Sequence, residues 1–321
     1  EKVFTWQDKT VDTESLFELY ENKLESVFPC NIRQESLCRT FSSSNSIHRN
    51  SAIKFARPRV LIPVFPGTNC EYDTAKALRD AGAVPEVLVI NNLSSTGIRE
   101  SVNAFAGKLS NAQMIFIPGG FSGGDEPDGS GKFITAFFRN AAIKDGVTKL
   151  LEQREGLICG ICNGFQALIK LGLVPYGKII DTDASCPTLT LNTIARHQSR
   201  IVRTRIASNK SPWLSRTRVG EVYSVPISHG EGRFLGDEPL IRELAAKGQI
   251  ATQYVDMEDK ATMDVRFNPN SSVFAIEGLT SPDGRVFGKM GHSERTGSFL
   301  YCNVPGTYDM HMFEAAVAYY K

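Results

Sequence analysis

The chain has 321 residues, of which 41% are hydrophobic and 22% are charged, and its formal net charge is +1. This composition is typical of a globular protein, and the near-neutral charge argues against binding to nucleic acid or to an anionic membrane. No apolar run in the sequence reaches the roughly 18 residues of a membrane span, and the N-terminus lacks the pattern of a signal peptide. The seven cysteines form no disulfide framework, which predicts free thiols and a cytoplasmic location.

The first 57 residues differ from the rest of the chain in their pattern of apolar and polar residues. Residues 14–27 have apolar side chains at helical spacing and predict an amphipathic helix, whereas the polar stretch 40–50 predicts a linker. The sequence does not begin with Met, so we expect a processed chain or a piece of a longer one. We therefore predict a helix-and-linker segment at 1–57 and a folded domain at 58–321.

From residue 58 onward, predicted strands and helices alternate. Strands are predicted at 59–65, 84–90, 112–118 and 157–159, and helices at 74–81, 98–109, 132–154 and 164–171. Beyond residue 177, β-like runs are predicted at 187–191, 200–206, 219–228, 250–256, 273–278 and 285–290, with helices at 238–247 and 309–320. The predicted fold class is α/β: a flavodoxin-like, mostly parallel sheet flanked by helices, with additional β-rich elements in the C-terminal half.

The stretch GLICGICNGFQALIKL at 156–171 contains Cys159 and Cys162 in C-x-x-C spacing and has three interpretations. A thioredoxin-like redox pair would come soon after the first strand, whereas this pair follows three strand–helix units, and a zinc site would need a second half that the sequence lacks. The third interpretation is a nucleophile elbow, G-x-C-x-G at 160–164, in which glycines permit a sharp strand-to-helix turn. It predicts that Cys162 is an exposed nucleophile at a helix N-terminus that favours thiolate, and that Cys159 only packs in the strand.

Other parts of such a site are also present. The backbone amide of Asn163 follows the nucleophile, and Gly119 and Gly120 lie in a glycine-rich loop after the third strand of the domain, so these amides are candidates for an oxyanion hole. A thiol nucleophile needs a base, and two His-x-Glu units compete for that role, at 229–231 and 292–294. Spacing alone does not separate them.

Four motifs, GICNGFQ, PGGFSGGD, SHGEGRF and GHSER, carry a family resemblance. Together they resemble the glutaminase domain of phosphoribosylformylglycinamidine synthase, which belongs to the triad (class I) glutamine amidotransferases. The resemblance extends from about residue 57 to the C-terminus. It implies that residues 1–57 connect this domain to a larger synthetase.

The resemblance implies roles for individual residues. It makes Cys162 the nucleophile, His292 the base and Glu294 the carboxylate that orients the base, and it moves His229 to a structural, substrate-side role. Ser293 departs from the family, in which proline is commoner at this place. The residues that the resemblance and the elbow assign to the oxyanion or to substrate binding are Asn163, Gly119, Gly120, Gln166 and His229.

The implied function is hydrolysis of glutamine to glutamate and ammonia. The ammonia would supply an ATP-dependent synthetase, the expected partner, which converts formylglycinamide ribonucleotide to formylglycinamidine ribonucleotide in purine biosynthesis. ATP and Mg²⁺ are expected in that synthetase portion, and no cofactor or metal is expected in this chain, whose DGSGKF sequence departs from a P-loop. The alternatives are a flavodoxin-like stress-response or thiol-sensing protein that uses the same cysteine elbow, and a non-catalytic binding module.

Overall fold

The computed structural model describes residues 2–29, 38–44, 50–122 and 131–321. Cys30, part of the predicted linker and the end of the glycine-rich loop from Gly123 lie outside the described residues. The strands are β1 (Val3–Trp6), β2 (Lys9–Asp12), β3 (Arg59–Val64), β4 (Val84–Val89), β5 (Met114–Ile117), β6 (Leu157–Ile161), β7 (Thr188–Thr190), β8 (Gln198–Ile206), β9 (Val222–His229), β10 (Arg233–Leu235), β11 (Ile250–Tyr254), β12 (Ile276–Thr280) and β13 (Val286–Lys289). The helices are α1 (Thr13–Asn22), α2 (Glu71–Asp80), α3 (Ser95–Leu109), α4 (Lys132–Phe138), α5 (Ala141–Gln153), α6 (Asn163–Leu171), α7 (Leu173–Tyr176), α8 (Glu238–Ala246) and α9 (Met312–Ala318).

A nine-stranded sheet forms the centre of the domain, in the order β4-β3-β5-β6-β13-β12-β11-β8-β9. The pairings from β4 to β13 are parallel, and those from β13 to β9 are antiparallel. The parallel half is built from strands such as β5 and β6 that are buried on both faces, which is why they read as continuous apolar runs. The predicted α/β fold with additional β-rich elements towards the C-terminus is confirmed.

The topology brings three loops to one edge of the sheet. Strands β5, β6 and β13 are parallel neighbours, so their carboxyl ends lie side by side. Gly119 follows β5, Cys162 follows β6 and His292 follows β13. In open α/β sheets ligands bind at this edge, so we expect the functional site here.

The predicted helix over 132–154 is wrong in one respect, because the structure has two helices there. Helix α4 ends at Phe138, and α5 begins at Ala141. Asn140 lies between them with extended ψ, and its Oδ1 accepts a hydrogen bond from the backbone N–H of Ala142 at 3.0 Å. Asparagine is a preferred N-cap, so it starts a new helix where the apolar spacing alone suggested continuity.

The N-terminal segment contains a hairpin and a helix, and neither buries a residue. Strands β1 and β2 pair with each other, and sequence analysis did not predict them. Helix α1 begins after an Asp12 cap and ends at Asn22, earlier than predicted, and its apolar side chains, including Phe17 and Tyr20, are exposed.

The described parts of the predicted linker lie against the domain. The backbone N–H of Ser43 donates to the Ala207 carbonyl at 2.8 Å, and that of Phe41 donates to the side chain of Gln253 at 2.8 Å. Residues 51–55 are attached in the same way, since the N–H of Ser51 donates to the Tyr319 carbonyl at 2.8 Å. The division at residue 57 stays a prediction. Across the described ranges, no helix combines the length and apolar character needed to cross a membrane.

Candidate active site

Cys162 lies on a tight turn between β6 and α6. Its backbone has φ 53° and ψ −108°, a combination that costs a non-glycine residue about 1–3 kcal/mol. A Cβ on Gly164 would lie 2.0 Å from the carbonyl oxygen of Ile117, and a Cβ on Gly160 would lie 2.6 Å from the carbonyl carbon of Gly164. The turn therefore has the steric requirement for flanking glycines that the G-x-C-x-G pattern predicts.

The prediction that the thiol is exposed is wrong. Cys162 is 2% exposed, and its Sγ lies 3.8 Å from the carbonyl oxygen of Ser228. Burial raises the pKa of the Cys162 thiol to about 12, and although the backbone N–H of Asn163 acts in the opposite direction, burial dominates. The helix N-terminus thus does not make this thiol a thiolate at neutral pH, so a nucleophile here needs a base to remove its proton.

His292 and Glu294 form a buried pair. The imidazole Nδ1 lies 2.6 Å from Oε1 of Glu294, and both side chains are almost completely buried. Burial acts to raise the pKa of the Glu294 carboxyl, but His292, the backbone N–H of Glu294 and Arg295 together hold that pKa below its usual range. Among the described residues, Nε2 of His292 has no hydrogen-bond partner, so this nitrogen is available to exchange a proton.

Gly119 is the point at which these groups meet. A Cβ on Gly119 would lie 2.6 Å from Cε1 of His292 and 3.4 Å from Cβ of Cys162. Because Gly119 has no side chain, a space remains between the imidazole of His292 and the candidate nucleophile Cys162. The structure brings Cys162, His292, Glu294 and Gly119 together at the carboxyl edge of the sheet.

Gly120, the next residue, packs away from this space. Its φ is 149°, and a Cβ there would lie 2.5 Å from the carbonyl oxygen of Gly67. The neighbouring Phe121 donates its N–H to that same carbonyl at 2.8 Å. Gly120 is therefore required for close backbone approach between two loops at the site.

The two His-x-Glu units, which spacing did not separate, have different surroundings. His229 is buried, and its Nε2 lies 2.8 Å from Oδ1 of Asn270. Burial lowers the pKa of His229 to about 3, so its imidazole is neutral throughout the physiological range. His292 contacts a carboxylate, whereas the partner of His229 is an amide.

Asn163 and Gln166 lie in a buried chain of hydrogen bonds. Oδ1 of Asn163 accepts from Oγ of Ser122 at 2.6 Å, and its Nδ2 donates to Oε1 of Gln166 at 2.9 Å. Nε2 of Gln166 donates to the carbonyl of Glu231 at 2.5 Å. These side chains connect the glycine-rich loop, the elbow and the SHGEGRF motif, while the backbone amide of Asn163 acts on the Cys162 thiol and lowers its pKa.

Sequence analysis missed Cys70 and Arg295. The buried Sγ of Cys70 accepts from Nη2 of Arg295 at 3.1 Å and lies 3.8 Å from Nδ1 of His292. Burial raises the pKa of the Cys70 thiol to about 11. Their places in the chain could have pointed to both residues. Cys70 follows β3, which is a parallel neighbour of β5, and Arg295 directly follows Glu294.

Within the ranges that the structure describes, two groups of side chains have ligand atoms close enough to hold a metal ion. One is Cys70 with His292 and Glu294, and the other is a largely exposed group on the last helix and the loop before it, Asp309, His311 and Glu314. In the first group the short His292–Glu294 contact already joins two of the three ligand atoms. That the chemistry uses no metal stays a prediction.

The parallel sheet and the cysteine elbow define an α/β enzyme domain whose candidate chemistry is acyl transfer to a thiol. Residues 57–320 match the family of CobB/CobQ-like glutamine amidotransferase domains, and the chain belongs to this family.

Its relatives include the phosphoribosylformylglycinamidine synthase subunit PurQ of Methanococcus maripaludis, 36% identical over 74% of this chain and 82% of that protein. The subunit of the same name from Salinibacter ruber is 31% identical over 73% of this chain and 86% of that protein. Among solved structures, PurLQS from Thermotoga maritima is similar with a TM-score of 0.58 and 26% identity, covering 83% of this chain and all of that one. The predicted membership of the glutamine amidotransferases, with the resemblance to this synthase, is confirmed.

Proposed function

We propose that the chain hydrolyses glutamine to glutamate and ammonia, with Cys162 as nucleophile and His292 as base. The observation that carries this proposal is the meeting of the elbow cysteine and the buried His292–Glu294 pair at Gly119. Because burial raises the pKa of the Cys162 thiol, the thiol proton must move to Nε2 of His292 as the sulfur attacks the side-chain amide carbon of glutamine.

The remaining steps follow from the same groups. His292 returns the proton to the departing nitrogen, so that ammonia leaves and a γ-glutamyl thioester remains on Cys162. Water, deprotonated by the same imidazole, then attacks the thioester; the C–S bond breaks, glutamate leaves, and His292 returns the proton to the sulfur of Cys162. Glu294 holds the imidazole in the tautomer that leaves Nε2 free to accept, and it stabilises the imidazolium that forms.

The oxyanion of each tetrahedral intermediate needs hydrogen-bond donors. We assign one donor to the backbone amide of Asn163, which acts on the Cys162 thiol, and the second to Gly119 or Gly120 in the facing loop. Gln166 and His229 lie on the SHGEGRF side of the nucleophile, where we assign them to the support of the substrate pocket.

The destination of the ammonia is also part of the proposal. The relatives are named as subunits of phosphoribosylformylglycinamidine synthase, and PurLQS is an assembly that contains such a subunit. We therefore assign this chain to a synthetase that uses ATP and Mg²⁺ to convert formylglycinamide ribonucleotide to its amidine, with residues 1–57 as the connection. Ammonia released into water would be protonated and lost as a nucleophile, so delivery requires this association. The six described cysteines are all free thiols, which fits a cytoplasmic enzyme.

The test is glutamate release by the wild type and by two matched variants, with the synthetase portion, ATP and formylglycinamide ribonucleotide present. Cys162→Ala is expected to abolish release, whereas Cys159→Ala, a change three residues away at an equally buried thiol, should leave it largely intact. Omitting the synthetase portion should reduce the wild-type rate. Equal loss in both variants contradicts the elbow assignment and favours a redox pair, and full activity without any stimulation contradicts the coupling to a synthetase.

A further inference from the structure

A buried ion pair lies directly behind the loop that carries His292. Nζ of Lys289 is 3.7 Å from Oε1 of Glu277, and both side chains are completely buried. Oε2 of Glu277 also accepts a hydrogen bond from the hydroxyl of Thr252. Stability alone is a weak explanation for such a pair, since a buried ion pair gives little net stabilisation compared with apolar residues of similar size.

The pair is tied to both chain neighbours of His292. On one side, the backbone N–H of Gly291 donates to Oε1 of Glu277 at 2.6 Å. On the other side, Nζ of Lys289 donates to Oγ of Ser293 at 2.8 Å. The backbone on either side of the imidazole is therefore fixed to one charged unit in the sheet.

Lys289 is tied to the nucleophile as well. Its carbonyl oxygen accepts the backbone N–H of Cys162 at 2.9 Å, which continues the parallel pairing of β6 with β13. A single residue thus holds the elbow through its backbone and the His292 loop through its side chain. This arrangement also gives a role to Ser293, because its hydroxyl oxygen is the acceptor for the Lys289 ammonium.

We propose that Lys289 and Glu277 are positioning residues that fix the His292 imidazole relative to Cys162. They do not touch the substrate, and they act through Ser293 and Gly291. The inference rests on the proposed function, since it concerns the base of that reaction. It predicts that loosening the loop lowers the chemical step and leaves glutamine binding in place.

The test is a double-mutant cycle with Lys289→Met and Ser293→Ala, measured as kcat and KM for glutamate release in the presence of the synthetase portion. Ser293→Ala retains the ion pair and its contact with Gly291 but removes the tie on the other side of His292, so we expect kcat to fall about tenfold or more with KM within about twofold. Lys289→Met leaves Glu277 buried without its cation and is expected to lower both kcat and stability. In the double variant the loss of kcat should be less than the product of the two single losses, because the two groups act through one contact.

A matched control is Gln249→Met. Gln249 is a buried residue directly before β11 whose amide donates to the carbonyls of Pro175 and Thr280, away from the His292 loop. This variant should lose stability and keep kcat. If Ser293→Ala keeps the wild-type kcat, or loses it only in proportion to a loss of folded protein, the positioning role is wrong. If the wild type itself releases no glutamate, the proposed function fails first and the inference fails with it.

Discussion

Replacing Gly119 by alanine would add one methyl group between the base and the nucleophile. The backbone at Gly119 is outside the left-handed region, so alanine can adopt its φ. The substitution also keeps the backbone N–H, and with it any hydrogen bond to an oxyanion. Its effect is therefore confined to the space that the new Cβ would occupy.

The magnitude follows from one distance. The new Cβ would lie 2.6 Å from Cε1 of His292, whereas carbon atoms in contact are about 3.5 Å or more apart. The imidazole must retreat by roughly 0.9 Å, and a misplacement of about 1 Å at a reacting group costs on the order of 100-fold in rate. We expect Gly119→Ala to lower kcat for glutamate release by this factor, with a stability cost of about 1–3 kcal/mol from overpacking.

The assay is glutamate release under single-turnover and steady-state conditions, with urea unfolding of the same samples. Gly107→Ala is a matched control, because Gly107 lies in helix α3 and an added Cβ would meet nothing within 4 Å. This control should keep kcat and gain about 0.5–1 kcal/mol of stability, since glycine is a poor residue in a helix interior. Wild-type kcat in folded Gly119→Ala would refute the argument that the position of His292 sets the rate.

Three further predictions follow from the site. Gly164→Ala places a Cβ 2.0 Å from a backbone oxygen, so it should destabilise the fold by several kcal/mol in urea unfolding; an unchanged midpoint contradicts the elbow geometry. His229 has its pKa lowered to about 3, so the unfolded state alone takes up this proton as pH falls below about 6.5. Stability at pH 7 should therefore be partly lost by pH 5, and His229→Asn should flatten that dependence; equal slopes in both proteins argue against a buried neutral His229. Because burial raises the pKa of the Cys162 thiol to about 12, its alkylation by iodoacetamide should accelerate about tenfold per pH unit from pH 7 to 9, and a plateau in that range contradicts a protonated thiol.

The elbow and the alternating strand–helix order could be predicted from sequence because both are local. The glycine at 160 is needed because an added Cβ would meet Gly164 and Leu168 of the same turn and helix, so this part of the pattern has a local physical reason, whereas the crowding at Gly164 comes from Ile117 on β5. The apolar runs of β5 and β6 likewise show burial on both faces without further information.

The burial of the thiol and the difference between the two histidines could not be predicted from the residues alone. Both depend on contacts between distant parts of the chain, such as Cys162 with Ser228 and His229 with Asn270. The contact of Arg295 with Cys70 spans 225 positions, so spacing along the chain does not reveal it, and only the order of the strands in the sheet brings the two residues to one edge. The family resemblance distinguished His292 from His229. The physical difference between them is visible in the structure, where a carboxylate contacts the ring of His292.

The most direct test of the central claim is identification of the acylated residue. Wild-type protein is mixed with glutamine and the synthetase portion, quenched in acid within a turnover, digested and analysed by mass spectrometry. The account predicts a γ-glutamyl adduct that fragmentation of the peptide locates on Cys162 and not on Cys159. The adduct should be absent from Cys162→Ala. An adduct on Cys70 or Cys159, with Cys162 unmodified throughout turnover, would contradict it.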